Sequence, residues 1–120
     1  MKKIDWENLS FGYQKTDYNV RCYYRDGKWG EIEVSSDENI NIHMAATCLH
    51  YGQEAFEGLK AYRCPDGKVR VFRPEENAAR LQRTCRGIVM PEPPTELFVE
   101  MIKKVVRLNQ EYIPTYDSGA

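Results

Sequence analysis

The sequence predicts an α+β domain: an antiparallel β-sheet with helices packed on one face. Three observations predict it. Two pairs of aromatic and β-branched stretches are each folded by a glycine-bearing turn, a proline opens a helix-forming run at Pro74, and a strongly amphipathic run follows Pro94. At 120 residues the chain fits one domain spanning 1–120. A domain of that size buries roughly two thirds of its unfolded surface, enough for one core.

The first hairpin is read from Tyr18 to Arg25 and Trp29 to Ser36, separated by Asp26-Gly27. That dipeptide tolerates the positive φ angles of a two-residue turn. The second is read from Leu59 to Cys64 and Lys68 to Arg73 around Pro65-Asp66-Gly67. Alternation in its last strand supports extended backbone without choosing the buried face, and Phe72 is a candidate to pack under a helix. Between the hairpins, Asn39 to Cys48 reads as loop with extended pieces, and Gly52 to Glu57 as a short helical turn closed by Gly58.

Pro74 suits a first helical turn, Glu75 and Glu76 suit the positive end of the helix dipole, and Ala78, Leu81, Cys85 and Ile88 fall on one face. Gly87 is the expected end of this helix. After the stiff connector Pro91, Pro93 and Pro94, the residues Leu97, Phe98, Met101, Ile102, Val105, Val106 and Leu108 predict a second amphipathic helix over Thr95 to Gln110. Pro114 closes it, and Thr115 to Ala120 reads as the entrance to a strand cut off early.

Composition narrows the function classes. With 17 basic and 18 acidic residues the formal charge is -1, so no overall field favours nucleic acid or an anionic membrane. Cys22, Cys48, Cys64 and Cys85 are widely spaced, without the pairing of a structural zinc site, so no metal is expected. No signal-peptide h-region precedes Tyr13, and no apolar run approaches a membrane span. Reduced thiols in a cytoplasmic protein are the simpler reading.

The stretch that carries chemistry is LHYGQEAFEGLKAY, Leu49 to Tyr62, followed by Phe72-Arg73-Pro74 and Asn77-Ala78-Ala79-Arg80-Leu81. From spacing alone Arg80 is a surface arginine paired with Glu76, lying about 120° from the apolar stripe. Tyr51 and Phe56 taken singly are core aromatics. Together, however, these motifs closely resemble the N-terminal small domain of branched-chain aminotransferases, fold-type IV enzymes of pyridoxal phosphate, and the resemblance runs from Phe11 to about Tyr116.

The resemblance implies a role for each of these residues. Arg80 grips the cofactor phosphate, a task suited to a planar guanidinium. Tyr51 and Phe56 line the pocket for the substrate side chain, Tyr51 across a homodimer interface, and Phe11 matches a third pocket ring. The Schiff-base lysine belongs to a large domain beyond Ala120, so the chain alone is expected to be inactive and to hold pyridoxal phosphate weakly. The parent transfers the amino group of leucine, isoleucine or valine to 2-oxoglutarate.

Other residues are set aside. His50 is read as structural, Lys60 lacks an acidic partner for a Schiff-base role, and Arg83 and Arg86 read as a solvated helix face without the aromatic platform of a nucleic-acid site. A D-amino-acid transaminase or an aminodeoxychorismate lyase shares the fold and the phosphate arginine. A non-enzymatic dimerisation module is the alternative from another class.

Overall fold

The computed structural model describes residues 4, 5, 8 and 12–118. The elements run β1 Asn19–Arg21, β2 Tyr24–Arg25, β3 Lys28–Trp29, β4 Glu33–Ser35, α1 Thr47–His50, β5 Ala61–Arg63, β6 Val69–Val71, α2 Pro74–Gly87 and α3 Thr95–Leu108, with a 3-10 turn at Gln110–Tyr112. The α+β class holds. The sheet takes the form of three two-stranded antiparallel ribbons, β1 with β4, β2 with β3, and β5 with β6.

The first hairpin has the expected turn. Asp26 and Gly27 take φ of 53° and 79° between the paired Arg25 and Lys28, the geometry a tight hairpin of right-handed twist requires. The ladder is interrupted at Cys22 and Gly30 and resumes as Asn19–Arg21 against Glu33–Ser35, with Val20 opposite Val34. Asn109, just past α3, docks onto the start of β1 as a peptide group would. Its Oδ1 accepts from the Tyr18 N–H at 3.1 Å, and its Nδ2 donates to the Tyr18 carbonyl at 2.9 Å.

In the second hairpin Ala61 pairs with Val71 and Arg63 with Val69, so this face turns inward. The opposite face carries Tyr62, Arg70 and Phe72, and Phe72 is exposed instead of lying under a helix. Arg63 reaches from β5 to the carbonyls of Gln110 at 2.9 Å and Ile113 at 3.5 Å, tying the ribbon to the chain that leaves α3.

α2 packs against α3. Its predicted stripe faces inward, with Ala78 and Cys85 buried and Leu81 and Ile88 half-buried. The connector is pinned by Gln82 Nε2, which donates to the Pro93 carbonyl at 2.9 Å, and by Trp29 Nε1, which donates to the Glu92 carbonyl at 3.2 Å. Gly87 is the last residue of α2, but the left-handed residue that ends it is Val89, at φ 57°. The Val89 N–H bonds the Arg86 carbonyl and the Met90 N–H the Cys85 carbonyl, the two bonds of a Schellman cap with valine where glycine is usual.

Three expectations give way. The helical turn placed at Gly52 to Glu57 is replaced by a tight turn, Glu54 N–H to the Gly52 carbonyl at 2.9 Å, and a segment without regular structure, and the helix lies earlier, at Thr47–His50, its first two residues within the stretch read as loop. Gly52, at φ 64°, stops α1 and turns the chain outward, after which side-chain bonds to α2 hold it straight. α3 closes at Leu108 and the chain tightens into the 3-10 turn. Thr115 to Ser118 forms turns, with no strand among the described residues.

The core is thin: among the described residues only Ala78, Cys85 and Ile113 are buried. The apolar residues of α3 are half-buried, although they recur at helical spacing.

Candidate functional site

The site is built where the extended segment after Gly52 crosses α2. Exposure alternates along it: Gln53, Ala55, Glu57 and Leu59 turn toward the body, while Glu54, Phe56, Gly58 and Lys60 face water. Gln53 Nε2 donates to the Ile88 carbonyl at 2.8 Å, at the C-terminal end of α2. Four residues on, Glu57 meets Asn77 and Arg80 near its N-terminal half. Four extended residues cover about 13 Å, and Arg80 to Ile88 rises about 12 Å, so segment and helix run antiparallel in matched lengths.

Arg80 is held along one edge. Its Nε donates to Glu57 Oε1 at 2.6 Å and its Nη2 to Glu57 Oε2 at 2.7 Å. Asn77 Nδ2 adds a bond to Glu57 Oε2 at 2.9 Å and one to the Gly58 carbonyl at 3.2 Å. The Glu57 side chain is only 5% exposed whereas that of Arg80 is 61% exposed. Hydrogen bonds from Arg80 hold the Glu57 carboxyl below its ordinary value against the opposing pull of burial, with Asn77 and the charge of Arg83 assisting. The same bonds push the Arg80 guanidinium above its own. Glu76, the partner expected from spacing, instead accepts from Arg73 at 3.0 Å.

Glu76, Asn77, Arg80 and Arg83 line a concavity of about 250 Å3. Of the five guanidinium N–H bonds of Arg80, Glu57 takes two; the end-on edge, formed by Nη1 and the second Nη2 hydrogen, is left for a ligand. Sites that enclose a whole small molecule run to roughly 300–1,000 Å3. The space and its donors therefore fit one anionic group, such as the phosphate of pyridoxal phosphate, better than the whole cofactor.

The aromatic candidates stand elsewhere. Tyr51 closes α1 and is 85% exposed, and Phe56 is 88% exposed on the outward face of the segment whose inward face carries Glu57. Neither lines the concavity at Arg80. Phe11 lies outside the described residues. Lys60 shares the outward face with Phe56. A second concavity, of about 400 Å3, lies between β5 and the segment Pro114 to Tyr116, lined largely by apolar surface. No group of side chains among the described residues could hold a metal ion, and no helix there is long and apolar enough to cross a membrane.

Sequence reasoning placed Glu57 at the end of a short helical turn and gave Asn77 no role of its own. The signal was present as an acid in the inward register of an alternating segment, between Ala55 and Leu59, where a buried carboxylate needs a cation.

Comparison with known proteins separates the family from its rivals. The chain is 52% identical over 120 residues to a branched-chain-amino-acid aminotransferase of Haemophilus influenzae and 42% identical over 120 residues to one of Helicobacter pylori. It is 43% identical over 122 residues to a chloroplastic branched-chain-amino-acid aminotransferase of Arabidopsis thaliana, and all three matches cover the entire chain. Over its whole length the chain is similar to proteins named branched-chain-amino-acid aminotransferase. It spans about a third of the relatives' length, 35% of each bacterial protein and 29% of the plant one. No protein-family model matches it. The longest of the motifs, Leu49 to Tyr62, includes the segment that crosses α2.

Proposed function

We propose that the chain is the N-terminal small-domain part of a pyridoxal-phosphate enzyme that moves the amino group of leucine, isoleucine or valine onto 2-oxoglutarate. The observation that carries this reading is Arg80, fixed on one edge by Glu57 and open on the other toward a concavity shared with Arg83. The end-on edge of Arg80 holds the cofactor phosphate, and Arg83 adds positive charge beside it. Pyridoxal phosphate, when bound, supplies an electron sink for the bonds at the α-carbon of the amino acid.

Tyr51 and Phe56 offer a substrate side chain an apolar wall with one hydroxyl, and Phe11 extends that wall. Their exposure in the isolated chain suits surfaces covered by other parts of the assembly, Tyr51 by the second copy of a homodimer. The reactive lysine comes from a larger domain outside this chain, and the protein works in the cytoplasm.

The test is a transamination assay on the gene product that contains this segment. Leucine, isoleucine and valine serve as donors and 2-oxoglutarate as acceptor, and Arg80→Ala is expected to weaken pyridoxal phosphate binding by about tenfold or more. Turnover of D-alanine without turnover of leucine assigns a D-amino-acid transaminase instead. Inactivity toward every amino donor leaves the dimerisation module.

A further inference from the structure

We propose that Glu57 is a positioning residue for Arg80: by occupying the Nε–Nη2 edge of the guanidinium it aims the end-on edge into the concavity beside Arg83. The inference rests on the reading of Arg80 as an anion grip. It starts from an apparent contradiction. A carboxylate within 2.6 Å of the proposed phosphate arginine cancels its charge and repels an anion, so by electrostatics alone Glu57 is misplaced.

Geometry resolves it. The Arg80 side chain is 61% exposed, and a long exposed arginine samples many rotamers. Two parallel bonds to a planar carboxylate fix both the place and the plane of the guanidinium. Glu57 is itself rigid: its side chain is only 5% exposed, and Asn77, one turn before Arg80 on α2, bonds the same carboxylate. The clamp uses two of the five donors and leaves intact the edge that can bind two oxygens of a tetrahedral anion. Glu76, by contrast, lines the concavity but spends its carboxylate on Arg73, so it contributes charge without orienting Arg80.

Charge and orientation therefore predict opposite signs, which makes the proposal testable on this chain with inorganic phosphate as the probe. Binding is followed by NMR at neutral pH through the Arg80 Nε–Hε signal and the backbone amides of residues 77 to 83. Glu57→Gln removes a negative charge but is expected to weaken phosphate binding about tenfold, as loss of a charged hydrogen-bond pair does. Before phosphate is added, the Arg80 Nε–Hε signal is expected to be protected from exchange in the parent chain and to lose that protection in the variant.

Glu57→Asp keeps the charge and withdraws the carboxylate by one methylene. It is expected to weaken binding several-fold, and it decides the matter if the glutamine variant fails to fold. Glu76→Gln, which removes a negative charge from the lining of the concavity without touching Arg80, is expected to tighten binding, the opposite sign to Glu57→Gln. Phosphate binding at Arg80 that is unchanged or tighter in Glu57→Gln, or unaltered in Glu57→Asp, overturns the positioning role and leaves the anion grip standing. A parent chain whose Arg80 signal does not respond to phosphate overturns the grip itself, and the positioning role with it.

Discussion

Glu57 and Arg80 meet edge to edge across 23 residues of sequence, with N···O distances of 2.6 and 2.7 Å, the acid shielded from water and the base largely in it. Neither partner lies where its own secondary structure would place an ion pair. The contact exists because an extended segment is laid along α2 with its inward face toward the helix.

The pair predicts a pH dependence. The Glu57 carboxyl is held below its ordinary value of 4.5, chiefly by hydrogen bonds from Arg80. A depressed folded value means that the unfolded chain takes up the proton more readily. The stabilisation is therefore present above the unfolded value and is lost as pH falls through the folded one. Urea titrations between neutral pH and pH 3 are expected to show a smaller acid loss in Glu57→Gln than in the parent chain; equal losses would refute the link.

Asp66 supplies a second, local titration. Arg70 donates to its two oxygens at 3.0 and 2.8 Å, and the Lys68 N–H adds a third bond. The Arg70 bonds, followed by that of Lys68, bring its carboxyl down to about 2. Carbon-detected NMR titration should find Asp66 among the most acidic carboxylates, and Arg70→Gln should move it back toward the ordinary 3.8.

Val89 predicts a stabilising substitution. It sits at φ 57° and is 85% exposed, so it bears the steric cost of a left-handed β-branched residue without packing in return. Val89→Gly is expected to raise stability by about 1 kcal/mol, the left-handed penalty less the entropy of glycine. A lower urea midpoint for the variant would count against the Schellman cap.

Gln53 predicts a loss. Its amide accepts from the Thr47 hydroxyl at 2.6 Å and donates to the carbonyls of Ile88 at 2.8 Å and Val89 at 3.3 Å, joining α1 to the end of α2. Gln53→Ala is expected to cost about 1–2 kcal/mol in chemical denaturation, because carbonyls at a helix end lose a donor.

The exposed aromatics predict association. Tyr51, Phe56 and Phe72 all stand in water on the isolated chain, at 85, 88 and 76% exposure, and each ring gains by being covered. Light scattering is expected to give a mass that rises with concentration, and Phe56→Ser to reduce the rise. A constant monomer mass at high concentration would dismiss the idea.

Much of the architecture was legible because it is written locally. Asp26-Gly27 specifies its turn, Pro74 with Glu75 and Glu76 specifies a helix start, and the Ala78, Leu81, Cys85, Ile88 stripe specifies the face of α2 that is buried. The misreadings fall where distant partners decide. The Gln53 to Glu57 segment has the composition of a helical turn but is straightened by bonds to α2, 23 to 36 residues away. Val89 as the left-handed cap was hidden because Gly87, two residues earlier, is the residue that propensity favours there. Arg80 was singled out by motif, whereas its ion-pair partner required knowing which face of the Glu57 segment turns inward.

The two anchors of that segment, Gln53 at one end of α2 and Glu57 toward the other, fix how it is threaded along the helix. Because side chains alternate, a slip of one position would bury the Phe56 ring and throw the Glu57 carboxylate into solvent. The hydrogen-bonded ends thus work as a vernier: they admit one alignment and forbid its nearest neighbours, and so keep the spacing between the Phe56 ring and the Arg80 guanidinium the same from molecule to molecule.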